Sequence, residues 1–301
     1  MKCHVVIVNW NGHEDTEQCL ASLERLQLPN VIISVIDNSD DHEPIVSLET
    51  MYSSVHFVYN ESNVGFAAAC NQSLDFQWAT DCEIVHFLNN DTVVLCDYIS
   101  TILGLFLEHT NIAAISPCIN YFHEPQMSWF CNSLVNPRSG VVVHVQKSPS
   151  IPIYDVPWLT GCAMFVRVSV FNKLGRFDES LFMYCEDVDF SLKCELAGHK
   201  LAVASEVGVL HKVSASAAKV STKSLFYDVR NKLVMCRRYF GNDYGIRPFV
   251  HTFFRELKRV LLCQGWSVQK YMSLVVVIRA AVAAIVFKSE SVKYDNEYCS
   301  H

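Results

Sequence analysis

The chain has no C-x-x-C pair, no internal repeat and no low-complexity tract. The missing repeat excludes solenoid and propeller architectures, and the missing tract excludes a disordered or linker-dominated chain. With an odd total of thirteen cysteines, the absence of paired spacings argues against a disulfide framework. Most cysteines lie in apolar runs such as Ala67-Ala68-Ala69-Cys70, and reduced thiols packed into the core of a cytosolic protein are expected. Positive charge is scarce, with 24 Lys and Arg against 31 Asp and Glu, and the net charge of -7 argues against a nucleic-acid binder. No apolar run reaches the roughly 20 residues of a membrane span. Residues 272–287 come nearest, and Arg279 interrupts them. A signal peptide is not expected either, because the run at 5–8 is short and passes into polar Asn9-Trp10-Asn11. What remains is a 301-residue, half-hydrophobic chain able to bury a sizeable core, as one large domain with a C-terminal extension.

The first third alternates. Buried-strand patterns at 4–8, 31–36, 55–59, 83–88 and 112–116 are separated by helical patterns, the first with its apolar side on Cys19, Leu20, Leu23 and Leu26, the last from Tyr98 to about His109. That order predicts an α/β fold with a mostly parallel sheet flanked by helices, in which ligands sit beyond the carboxyl ends of the strands. Polar clusters fall at three of those ends: residues 9–11, 37–40 and 89–92. Residues 120–157 are rich in proline, carry one clear strand pattern at 141–146, and read as a covering region. An extended segment at 161–167, a strand near 200–204 and an amphipathic helix at 225–240 follow.

Between these lies the most unusual stretch, Phe182-Met183-Tyr184-Cys185-Glu186-Asp187-Val188-Asp189-Phe190, with three carboxylates in four residues amid large apolar side chains. Val188, Leu192 and Leu196 recur at helical spacing, so the acids open a helix. A helix N-terminus favours carboxylates through its dipole, which accounts for an acidic first turn without any catalytic role. Desolvation beside neighbouring carboxylates also raises a pKa toward that of a general base. Adjacent helix residues point about 100° apart, so Glu186 and Asp187 can hardly serve one oxygen, and spacing does not choose between them.

Taken together, Val6-Ile7-Val8-Asn9-Trp10-Asn11-Gly12, Ile36-Asp37-Asn38-Ser39, Asn63-Val64-Gly65-Phe66-Ala67 with Asn71, Leu88-Asn89-Asn90-Asp91, Phe177-Asp178-Glu179 and Tyr184-x-Glu186-Asp187-Val188-Asp189 resemble the family 2 glycosyltransferases of the Rossmann-like GT-A fold, in particular their rhamnosyltransferase-like branch. The resemblance runs in order over roughly residues 4 to 240. It implies a nucleotide-binding part at about 1–117, an acceptor and catalytic part at about 118–245, and a helical extension at 246–301. It further implies an inverting transfer from a nucleoside-diphosphate sugar, with Asp187 as base. Nucleotide-sugar contacts fall on Asn9, Asn11, Asp37, Asn63, Gly65, Asn90, Gly161 and Arg230. Asp91 and His211 would hold Mn²⁺ or Mg²⁺, ions that take oxygen ligands and substrate phosphates, imidazole suiting Mn²⁺ better. Asn89 departs from the pattern: it stands where the family's Asp-x-Asp motif begins, and an amide is the weaker ligand.

A nucleotidyltransferase would also use a parallel sheet and Mg²⁺, but it would need a Gly-rich basic loop after the first strand, and residues 9–14 hold no Lys or Arg. A non-catalytic sugar-nucleotide binder is the other alternative, against which Asp91, Glu186, Asp187 and His211 stand together. The expected acceptor is a glycan or lipid-linked molecule, and the expected location is the cytoplasm at the inner face of the cell membrane. Arg255, Lys258, Arg259, Lys270, Arg279 and Lys288 beside the apolar stretches of the extension suit a peripheral membrane contact.

Overall fold

A computed structural model describes residues 1–136, 138–146, 149–213, 221–262 and 268–288. Among these, two compact units separate: Met1–Ser133 with His144–Phe182 and Glu186–Ser214, and Leu134–Val143 with Met183–Cys185 and Ala215–His301.

The first unit is built on one sheet. Strands β1 (Cys3–Asn9), β2 (Val31–Asp37), β3 (Val55–Tyr59) and β4 (Ile84–Asn89) run parallel in the order β4-β1-β2-β3. Their near-continuous Val and Ile runs are what a strand covered on both faces requires. Helices α1 (His13–Glu24), α2 (Glu43–Met51) and α3 (Phe66–Gln72) connect them, α1 burying Cys19, Leu20 and Leu23. A short β5 (Thr92–Val94) precedes α4 (Tyr98–Glu108), whose N-cap Asp97 accepts a hydrogen bond from the Ser100 N–H. Beyond β4 the sheet continues through β11 (Ala163–Arg167), which leads into α5 (Val168–Lys173) and is antiparallel to both its neighbours, to β6 (Ile112–Tyr121) and then to β12 (Lys200–His211), which is parallel to β6. The alternation and the five early strands were thus legible, the ends of the first four shifted by at most one residue.

Three expectations need correction. Residues 120–157 hold four strands rather than one: β7 (Ser128–Phe130), β8 (Asn132–Asn136), β9 (Val141–Val145) and β10 (Ile153–Asp155). β7 pairs with β6, β10 with β12, and β8 with β9 in a separate two-stranded sheet. Two of the four are three residues long, too short for an alternating pattern to declare itself. β6 and β12 also extend past their expected ends at 116 and 204. Pro117 and the polar pair Ser205-Glu206 break the apolar runs, and the register shift between Ala204 and Val207 absorbs both. Finally, Cys118 and Cys131 form a disulfide, whereas Cys3, Cys19, Cys70, Cys82, Cys162, Cys194 and Cys236 are buried thiols, as expected.

In the second unit, α7 (Thr222–Met235) starts at an N-cap Ser221 and passes into a π-helical turn at Cys236–Phe240. Helices α8 (Arg247–Leu262) and α9 (Val268–Val286) follow, α9 packing Val277, Ala280 and Ala284 inward. Among the described residues no helix is long and apolar enough to cross a membrane.

Candidate active site

The carboxyl ends of β1, β2 and β4 are tied by one polar network. Asn9, buried at the end of β1, donates from Nδ2 to Asp37 Oδ1 at 2.7 Å and to Ser39 Oγ at 3.2 Å. Its Oδ1 accepts from the Gly12 N–H, the Thr16 hydroxyl and Asn90 Nδ2. A Cβ on Gly12 would stand 2.8 Å from Asn90 Nδ2, so a side chain there would displace the Asn90 amide. Asp37 is 0% exposed. Its Oδ1 also accepts from the Ser39 backbone and hydroxyl, and its Oδ2 meets His42 Nδ1 at 2.6 Å. Asp37, Asn9 and the Asn90 amide nitrogen are therefore filled by protein partners. The neighbouring Asn11 takes φ +54°, its N–H donates to Ser39 Oγ, and Trp10 stands 51% exposed between Asn9 and Asn11.

The turn before α3 is shaped by its side chains and its glycine. Asn63 Oδ1 accepts the Gly65 N–H, and Asn38 Nδ2 donates to the Gly65 carbonyl. Gly65 has φ +91°, and a Cβ there would fall 2.5 Å from the Phe182 carbonyl oxygen. One helix further, buried Asn71 receives the Phe177 N–H on Oδ1 and donates from Nδ2 to the Phe177 carbonyl and to Glu179. This side chain thereby fixes the chain entering the acidic stretch from 106 residues away.

Asp91, just past β4, faces His211 at the end of β12, with Oδ1 and Nε2 3.1 Å apart. Two backbone bonds hold the pair: the Lys212 N–H donates to the Asp91 carbonyl, and the Phe122 N–H to that of His211. His211 Nδ1 is buried without a hydrogen-bond partner among the described residues, and the ring of Trp129 stands T-shaped against the imidazole at 4.4 Å. Among the described residues no group of three or more His, Cys, Asp or Glu converges as a metal cage. An open, two-donor site of one carboxylate oxygen and one imidazole still fits a cation that takes its other ligands from a diphosphate and water.

Helix α6 (Glu186–Leu196) begins at the acidic pair, and the structure separates the two. Glu186 is 6% exposed, and its Oε2 has no hydrogen-bond partner among the described residues. Burial, reinforced by Asp187 and Asp189, pushes its pKa well up, which favours the neutral acid. Asp187 is half-buried; its Oδ2 accepts the Gly161 N–H and its Oδ1 the Val188 N–H, each at 2.8 Å. Burial raises its pKa, and those two N–H groups hold it back. Asp189, fully buried, pairs with Lys193 at 2.7 Å, a structural ion pair one turn along the helix. Phe182, Tyr184 and Cys185 all have positive φ. Such strain just ahead of the acids is the kind that gathers at functional sites.

Arg230 belongs to the second unit. There its Nε donates to Asn231 Oδ1 and its guanidinium lies over the rings of Tyr227 and Phe287. Buried Asn231 donates to the carbonyls of Met183 and Tyr184, pinning the residues just before Glu186. His42, Thr16 and Trp129 had not been expected at the site, and Ser39 only as part of the cluster at the end of the second strand. The hydroxyl and imidazole of Ser39 and His42 near a strand-end Asp were a usable signal, whereas nothing local marks Trp129.

The site thus joins a mixed sheet, a fixed carboxylate at a helix start and a carboxylate–imidazole pair near strand ends. The family model for glycosyl transferase family group 2 matches residues 84–287. Among relatives, a rhamnosyltransferase WbbL of Escherichia coli is 26% identical over 79% of this chain and 96% of its own. An N-acetylglucosaminyl-diphospho-decaprenol L-rhamnosyltransferase of Mycobacterium tuberculosis is 26% identical over 71% of this chain and 77% of its own. The solved structure of GalNAc-T7 with UDP, GalNAc and Mn²⁺ superposes with a TM-score of 0.62 at 15% identity, a likeness of fold. It covers 97% of this chain, which spans 55% of that protein. This chain belongs to glycosyl transferase family group 2 and is a glycosyltransferase.

Proposed function

We propose that the chain inverts the anomeric centre of a nucleoside-diphosphate sugar, L-rhamnose first among the candidates, while transferring it to a hydroxyl of a glycan or lipid-linked acceptor in surface-polysaccharide synthesis. The observation that carries this reading is the Asp187 carboxylate, fixed by two backbone N–H groups and raised toward the range of a general base. Asp187 takes the acceptor hydroxyl proton as that oxygen forms its bond to the anomeric carbon. The bond from that carbon to the diphosphate oxygen breaks, and the electron pair leaves with the diphosphate. A single displacement by an external hydroxyl inverts the configuration. Burial of Glu186 favours its neutral form, which keeps a second negative charge away from the base.

Asp91 and His211, with Asn89 beside them in sequence, are the residues that would hold Mn²⁺ or Mg²⁺. Such an ion, when bound, supplies the positive charge that a departing diphosphate needs. Asn11, Asn63 and Gly65 shape the donor side. Asn9, Asp37 and Asn90 act on it through the network they hold together, and Arg230 is assigned to the diphosphate. Residues 1–245 are read as the transfer part and 246–301 as the extension.

Membrane attachment belongs to the same reading, with the protein at the inner face of the cell membrane. Between 247 and 288 the chain carries seven Lys and Arg and one acidic residue, Glu256. Phe254, Leu261 and Leu262 on α8 and Tyr271, Ile278, Val282, Ile285 and Val286 on α9 are exposed. Apolar side chains rimmed by basic ones suit an anionic lipid surface. Salt-sensitive flotation with anionic vesicles is expected, and an intact protein that stays in the soluble fraction at low salt refutes attachment. The transfer reading is tested with dTDP-rhamnose and UDP-hexoses against N-acetylglucosaminyl-diphospho-lipid. An α-linked donor is expected to give a β-linked product, and retained configuration refutes the single displacement.

A further inference from the structure

We propose that Trp129 is a positioning residue for His211: its indole π system takes the place of the polar group that ordinarily receives the second ring N–H of a metal-ligating histidine. The inference rests on the reading of Asp91 and His211 as the metal pair. With Nε2 directed at Asp91, the other ring nitrogen normally donates to a carboxylate, a carbonyl or water, which sets tautomer and ring orientation. Here that nitrogen, Nδ1, is buried and has no such partner among the described residues.

Trp129 packs directly on the imidazole, the ring centroids 4.4 Å apart and the planes at 76°. An aromatic face accepts an N–H weakly and attracts positive charge, and an imidazole gains positive character when Nε2 binds a cation. The indole is held from elsewhere. His144 packs T-shaped on it at 4.6 Å, the flanking Ser128 and Phe130 pair with β6, and the Ser128 hydroxyl donates to Asn120 Oδ1. The Phe122 N–H bond to the His211 carbonyl fixes the backbone of the same residue. His211 is therefore set on its backbone by a hydrogen bond and on its ring by an aromatic contact.

The full chain is titrated with Mn²⁺, with and without inorganic pyrophosphate, and free Mn²⁺ is read by its electron paramagnetic resonance signal. Wild type, Trp129→Phe and Trp129→Leu are compared, both substitutions filling the site with apolar volume and only Phe restoring a π face. Expected is a loss of roughly 10-fold or more in Mn²⁺ affinity for Trp129→Leu, the scale of outer-partner substitutions, with Trp129→Phe within about 3-fold of wild type. Equal weakening in Phe and Leu, or none in either, overturns the proposal and leaves the metal pair standing. Wild type that binds no Mn²⁺ in either condition, and so matches Asp91→Ala, overturns the metal pair and the proposal with it.

Discussion

Asp37 and Asp91 both close a strand of the same sheet, yet the protein treats them in opposite ways. Asp37 is sealed from solvent and its two oxygens are shared among Asn9, Ser39 and His42. The Asp91 side chain is 18% exposed and, among the described residues, pairs with the side chain of His211 alone. A carboxylate saturated by its own chain is a structural node, and this one ties the ends of β1 and β2 together. One left with a single imidazole keeps lone pairs for a ligand. Similar sequence contexts thus carry different work, and the difference lies in how many protein donors reach each carboxylate.

The largest effect that sharpens this comparison lies at the base. Asp187→Asn is expected to lower turnover by about 10² or more while leaving nucleotide binding intact, as measured by transfer rate beside a thermal shift with the donor. Near-normal transfer by that variant, with loss in Glu186→Gln, moves the role to Glu186. Next comes the saturated end. Asp37→Ala strands the Asn9 amide and the Ser39 and His42 donors, and is expected to cost on the order of 1–3 kcal/mol or more in denaturant unfolding. Asp91→Ala removes one partially exposed contact and is expected to leave stability within about 1 kcal/mol of wild type.

Glu186→Gln gives a subtler signature. Because the folded-state pKa is raised, the folded protein holds its proton after the unfolded chain has released it. Wild-type stability therefore falls as pH rises from 4.5 toward about 8. The Gln variant lacks that loss, so its advantage over wild type is expected to grow through this window in thermal melts. An advantage independent of pH contradicts a buried neutral glutamate. Gly65→Ala is expected to destabilise by about 1 kcal/mol or more, since φ is positive and the Phe182 carbonyl blocks the new Cβ.

The strand-end clusters were readable because a parallel sheet announces itself in continuous apolar runs, and each run stops where its polar residues begin. Asn9, Asp37 and Asp91 sit at those stops. What could not be read are partners chosen across the chain. Asn71 meets Phe177 across 106 residues, and Asp91 meets His211 because β5 pairs antiparallel with β12, contacts without a local signal. Trp129 lies on a three-residue strand, too short for any periodicity. The Glu186 and Asp187 pair was visible as a motif, but its division of labour depends on the Gly161 N–H, which only the fold delivers.

The central claim is that the Asp91 end receives the donor diphosphate with its cation while Asp187 serves the acceptor. It is tested most directly by thermal stabilisation with dTDP-rhamnose and UDP-sugars, with and without Mn²⁺, in wild type, Asp91→Ala and Asp187→Asn. A Mn²⁺-dependent rise in melting temperature is predicted for wild type and Asp187→Asn and is predicted to vanish in Asp91→Ala, because binding to the folded state alone raises stability. The same Mn²⁺-dependent rise in Asp91→Ala, or its loss in Asp187→Asn, would contradict that division.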